Sequence, residues 1–152
     1  MPAGIGETVF DKLDARLAQA IMSIGAVKAV EVGDGTAAAL SLGSQNNDQY
    51  TLSENGTPVP AGNRAGGILG GMSSGQEIRL RASFKPTPSI AQPQTALFRD
   101  GHTDEVVIHG RHDPIIVSRA AVVVESMAAI SVLDLMMQNM SARLDSLHDF
   151  YN

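Results

Sequence analysis

The 152-residue chain contains no cysteine, which excludes disulfides, thiolate nucleophiles and zinc–thiolate sites. It has no tryptophan, and aromatic residues make up only 4% of it, so whatever core it forms is aliphatic. Positive charge is also scarce. Eleven Lys and Arg against 16 Asp and Glu leave a net charge of −5, the wrong field for a nucleic acid or an anionic membrane surface. "MPAGIGETVF" lacks the basic start and apolar run of a leader, and no apolar stretch reads as approaching the roughly 20 residues that cross a bilayer. The expected compartment is the cytoplasm, with neither nucleic acid nor membrane as partner. What the chain does have in quantity is glycine, 15 residues, and methionine, 7 residues.

A single domain is expected from this length. Glu7 to Ile24 reads as an amphipathic helix, with Val9, Phe10, Leu13, Leu17, Ile21 and Ile24 at spacings of three and four, closed by Gly25. Residues 26–33 follow as a strand, and 36–42 as one or two helical turns. The polar, turn-rich run 43–63 reads as a mobile excursion. Ile78, Leu80, Ala82 and Phe84 alternate with Glu77, Arg79, Arg81 and Ser83, the pattern of a half-buried strand. "KPTPSIAQPQT" carries three prolines and is expected to be irregular, and "DEVVIHG" reads as a short strand. From Ser118 onward the chain is helical, with Ile130, Leu133, Met137, Met140, Leu144 and Leu147 at alternating spacings of three and four. Two helices framing short strands, with no crossover helices between them, predict an α+β fold. In it an antiparallel sheet packs against the N-terminal helix and the long C-terminal helix.

Three stretches carry unusual chemistry. In "HGRHDPI", His109, His112 and Asp113 are metal-ligand types. Residues three apart on a strand face opposite ways, however, and no second cluster completes a coordination sphere, so no metal is expected. Asp113-Pro114 reads as a helix start, Asp113 capping and Pro114 at the first position. Arg111 beside the free N–H groups of such a start would suit an anion. The run "GNRAGGILGGMSSG" has six glycines in fourteen residues but neither the ending of a phosphate loop nor the dinucleotide fingerprint. It reads equally as a series of tight turns or as a floor where Gly66, Gly67, Gly70 and Gly71 admit a flat group close to the backbone. In "KPTPSI", Lys85 is pinned by Pro86 and followed by the hydroxyls of Thr87 and Ser89. That suits a phosphate or ring carbonyl as well as it suits a plain proline turn. Met127, Met136, Met137 and Met140 on the last helix read as a core or oligomer seam before a binding groove.

In order and spacing, "GETVFDKLDARLAQAIMSI", "AVKAVEVGDG", "GSQNND", "NRAGGILGGMSSGQEI", "KPTPSI" and "GRHDP" followed by "RAAVVVESMAA" resemble the second half of chorismate synthase, from about Gly6 to about Leu135. The resemblance implies one half of a β-α-β sandwich and a homo-oligomer, a tetramer in the family. It implies a carbon–oxygen lyase of the shikimate pathway, which makes chorismate from 5-enolpyruvylshikimate 3-phosphate by anti-1,4-elimination of phosphate. Reduced FMN is the implied cofactor, with NADPH as its external or bound reductant. Residue by residue, Gly25, Ala26, Gly70, Lys85, Pro86, Thr87, Pro88, Ser89 and Arg111 match the family's flavin contacts. Asp113 matches the aspartate that works with the flavin in proton removal.

Four positions depart from the family pattern: Gly25 where Asn or Pro is usual, Ala29 for Gly, Pro88 for Ser and Ile115 for Cys. Pro88 removes a hydroxyl and an N–H from the flavin-side segment. His102 and His148 match no motif. The resemblance also implies that the two proton-donating histidines, most substrate-gripping arginines and the serine contacts to the substrate phosphate belong to a first half absent from this sequence. The chain is thus expected to be the C-terminal part of such an enzyme, inactive alone and a weak flavin binder. The alternative is a non-catalytic, self-associating domain.

Overall fold

The computed structural model describes residues 1–113 and 115–151. The fold is α+β: a helix, α1 (Leu13–Met22), followed by β1 (Val27–Val32), a short 3-10 helix (Gly35–Leu40), α2 (Gly43–Asn46) and three antiparallel ladders. The long helix α3 (Val117–Ser141) and α4 (Leu144–Tyr151) close the chain. β2 (Tyr50–Leu52) pairs with β3 (Pro58–Pro60), β4 (Ile68–Leu69) with β5 (Met72–Ser73), and β7 (Gln94–Leu97) with β8 (Thr103–Val106). The fourth ladder joins distant sequence: β1 lies antiparallel to β6 (Leu80–Phe84), from Val27 opposite Phe84 to Val32 opposite Leu80, with a bulge between Val27 and Ala29.

The core is small and aliphatic. Ile5, Leu13, Leu17, Ile68 and Leu135 form it, with Val32, Ile78, Leu80, Ala128 and Val132 packed around. α1 therefore sits between the central ladder and α3. As expected, Ile78, Leu80, Ala82 and Phe84 turn inward while Glu77, Arg79, Arg81 and Ser83 face solvent.

Several expectations need correction. α1 begins six residues later than its apolar spacing suggests. Lys12 is extended (ψ 144°), and the N–H of Leu13 goes to the Gly71 carbonyl at 2.7 Å. The β4–β5 turn thus satisfies the helix start, leaving Val9 and Phe10 outside, Phe10 92% exposed. Gly25 does not supply the left-handed position after α1; Ala26 does, at φ 72°. Residues 43–63 are no loose excursion, because the Asp48 carboxylate accepts the N–H groups of Arg64 and Ala65 at 3.0 Å each. Gln94 and Thr95, inside the proline-rich run, belong to β7.

Asp113 is not the cap of α3. Ile116 holds that position without a side-chain bond, and Asp113 instead meets Arg119 at 2.8 Å. The reading of Pro114 as first helical residue lies outside the described residues. The apolar stripe of the last helices is exposed, not core: Leu133 is 59% accessible while Leu135 is 2%. A three–four spacing shows that a face exists, but neighbours decide whether it is covered. Finally, α3 at 25 residues is long and apolar enough to cross a bilayer by length and composition alone, contrary to the expectation from the sequence. Only 6% of that apolar window is buried in this chain.

Candidate active site

The expected site residues fall into one cluster and one outlier. β1 and β6 run antiparallel, so the residues just before β1 lie beside those just after β6. The N–H of Lys85 donates to the Ala26 carbonyl at 2.9 Å, which places Gly25, Ala26 and Lys85 together. Pro86 and Thr87 continue over the start of α3, where Phe84, Lys85, Pro86 and Thr87 face Ile115, Ile116 and Val117 across a cleft of about 210 Å³. Beyond Pro88, the Ser89 hydroxyl meets His112 Nδ1 at 3.0 Å. That bond ties the "KPTPSI" loop to the "GRHD" loop and carries Arg111 and Asp113 to the same end of the molecule.

Gly70 is the outlier. Its neighbour Gly71 holds the first residue of α1, whereas Ala26 follows the last turn, so Gly70 lies a helix length away, roughly 15 Å at 1.5 Å per residue. Gly70 thus stands near the start of α1 and Lys85 near its end. The glycine run itself divides by role. A side chain at Gly66 would stand 2.3 Å from Gly33 N, at Gly67 2.4 Å from the Glu77 carbonyl and at Gly71 2.5 Å from the Glu7 carbonyl. These three glycines serve the chain's own packing. Gly70, with φ +60°, meets nothing within 4 Å; it alone of the four offers open backbone to another molecule.

Charge is distributed unevenly. Lys12, Arg16, Arg64, Arg79, Arg81 and Arg119 are ion-paired to carboxylates. Among the described residues, Lys28, Lys85, Arg99, Arg111 and Arg143 make no ion pair and no side-chain hydrogen bond, and of these Lys85 and Arg111 belong to the joined loops. Two unmatched cations thus stand on two loops joined by the Ser89–His112 bond, an arrangement that suits an anion. Asp113 points one oxygen, Oδ2, at Arg119 Nη1. No group of three or more metal-ligand side chains lies together among the described residues.

The Chorismate synthase family model matches residues 1–137. The chain belongs to the chorismate synthase family. Proteins named chorismate synthase from Lachnoclostridium phytofermentans and Agathobacter rectalis are 54% and 52% identical over 99% of the chain, which covers 41% of each. The Helicobacter pylori protein of that name is 43% identical over the full chain and 40% of its own length. A solved structure described as chorismate synthase superposes on 92% of the chain with a TM-score of 0.71 at 32% identity, using 35% of that molecule. The chain therefore spans about two fifths of the curated relatives it matches.

Two residues at the site escaped sequence reasoning in any useful role. His112 was legible only as a metal-ligand type, and its link to Ser89 spans 23 positions. Arg119 lies six residues from Asp113 across a loop–helix junction, where no periodicity rule applies.

Proposed function

We propose that the chain is the C-terminal part of a chorismate synthase, forming a single domain. In this reading it supplies one wall of the site where 5-enolpyruvylshikimate 3-phosphate loses phosphate and a ring hydrogen to become chorismate. The activity is that of a carbon–oxygen lyase, in a homo-oligomer and a cytoplasmic setting. The observation that carries the reading is the joining of the Gly25-Ala26, Lys85–Ser89 and Arg111–Asp113 segments at one end of the fold, with Lys85 and Arg111 unpaired.

These residues fit reduced FMN. Lys85 and Arg111 offer uncommitted positive charge to the electron-rich reduced ring and to the substrate phosphate, the Thr87 and Ser89 hydroxyls lie on the same loop, and Gly70, open and distant, suits the far end of an elongated cofactor. When bound, the flavin would supply transient electron density to the loss of phosphate, and NADPH would be the reductant that keeps it reduced. Lys85 and Arg111 hold anionic groups and stabilise the charge that collects on departing phosphate. Arg119 occupies Asp113 Oδ2 and fixes the carboxylate's direction, which leaves Oδ1 as the atom able to take a proton. Ile115, Ile116 and Val117 give that end an apolar wall, with Ile115 and Val117 still open to solvent in this chain.

A wall is not a catalyst, so the chain alone is expected to show no phosphate release with reduced FMN and substrate. Release should appear once a separate chain carrying the rest of a relative's length is added. In that mixture Lys85→Ala and Arg111→Ala should each weaken FMN binding, read by fluorescence quenching, by roughly tenfold or more, the worth of one charge-assisted contact. Unchanged quenching in both variants would remove the flavin assignment. The second reading, a non-catalytic self-associating domain, draws on the exposed apolar stripe of α3 and α4. It would prevail if no complementing chain restored turnover.

A further inference from the structure

The tie between the two site loops turns on one side chain. His112 Nε2 lies 3.1 Å from the Ile108 carbonyl and Nδ1 lies 3.0 Å from Ser89 Oγ. A carbonyl oxygen only accepts, so Nε2 carries the hydrogen. In the uncharged ring that leaves Nδ1 with a lone pair, which accepts the Ser89 O–H. A hydroxyl has one proton, and here it is spent. We propose that His112 is a positioning residue that commits the Ser89 proton. Ser89 Oγ is thereby left as an acceptor alone, and the site favours a ligand whose edge donates.

This rests on the flavin reading above and sharpens it. Reduction of a flavin converts ring nitrogens from acceptors into N–H donors, so an acceptor-only Ser89 favours the reduced form over the oxidised one. A hydroxyl free to rotate would serve both equally. The bond also spans 23 residues of sequence between two irregular segments, so the same contact that sets the polarity of Ser89 brings the loops together.

The test has two arms. In the chain without flavin, nitrogen-15 NMR of the His112 ring should show Nε2–H with Nδ1 hydrogen-bonded, and Ser89→Ala should move the Nδ1 signal. A hydrogen on Nδ1 in the unaltered chain, or no response to Ser89→Ala, overturns the proposal. In the chain complemented by the rest of a relative's length, the ratio of affinities for reduced over oxidised FMN is measured. It should fall about two- to tenfold in Ser89→Ala and His112→Ala, one hydrogen bond's worth. His112→Asn, whose Oδ1 stands in for Nδ1 as acceptor, should restore most of the ratio. If His112→Ala weakens both redox forms equally, the residue merely holds the loop and the polarity claim fails. If the unaltered complemented protein binds neither form, the flavin reading has failed and the ligand half of this proposal with it, while the NMR arm still decides the tie.

Discussion

Ala26 is the one described non-glycine residue with positive φ, 72°, a conformation that costs an L-residue roughly 1–2 kcal/mol. It sits where α1 turns into β1 and its carbonyl takes the Lys85 N–H, so the strain is held by the contact that assembles the site. Ala26→Gly relieves the strain but frees the unfolded chain by about 0.4–1 kcal/mol. The expected net is a stabilisation of up to about 1 kcal/mol, read by urea denaturation, and a destabilised variant would contradict the geometry. Asp48 is the other residue whose surroundings decide its behaviour. Burial pushes its carboxyl up, but the backbone N–H groups of Ala65 and Arg64, helped by the Arg64 charge, outweigh burial and hold it below the ordinary value of 3.8. A group lowered in the folded state contributes stability above its unfolded value and loses it as pH falls through the folded one. Asp48→Ala is therefore expected to cost about 1–3 kcal/mol near neutrality. The difference from the unaltered chain should shrink below about pH 4, in denaturation series across pH.

The elements show how little of a helix its own residues settle. Leu13, Leu17 and Ile21 are all fully buried, and their spacing was legible. The start of α1 was not, because it is set by the Gly71 carbonyl, 58 positions away in sequence and placed only by the β4–β5 turn. The alternation of β6 is legible for the same reason as the middle of α1: one face is covered, and a period of two records that. β7 was missed because Gln94 and Thr95 lie beside prolines, and its partner β8 supplies the reason for the extended state. On α3 the contrast between Leu135 and Leu133 allows a direct check. Leu135→Ala should cost about 2–5 kcal/mol by leaving a cavity among Leu13, Leu17 and Ile68. Leu133→Ala should stay within about 0.5 kcal/mol. Equal losses in thermal or chemical unfolding would show that the exposed stripe is covered in solution.

In the molecule as a whole the sheets are minimal: the described residues form four ladders of two strands each, where three or more strands are usually needed for independent stability. The central ladder survives because α1 covers one face of it. Along α3 and α4, Val122, Ile130, Leu133, Met137, Leu144 and Phe150 remain exposed, a surface of the kind that drives association. The chain alone is expected to self-associate with rising concentration in sedimentation or size-exclusion experiments. Leu133→Glu with Met137→Lys should suppress this without loss of fold. A monomer at all concentrations would argue against the stripe as a contact face.

The sequence by itself determined the family, the α+β class, the aliphatic core and the inward faces of α1 and β6. Each of these is written in local spacing or in an ordered set of short motifs, which survive without knowledge of neighbours. Only the tertiary structure decided that Ala26 and not Gly25 takes the left-handed turn, that Gly66, Gly67 and Gly71 pack the chain against itself while Gly70 stays open, and that His112 meets Ser89. The physical reason is the same in each case: a backbone or imidazole hydrogen bond is directional and short, its partner is chosen by where the fold brings distant residues, and no pattern within a few positions of sequence encodes that choice.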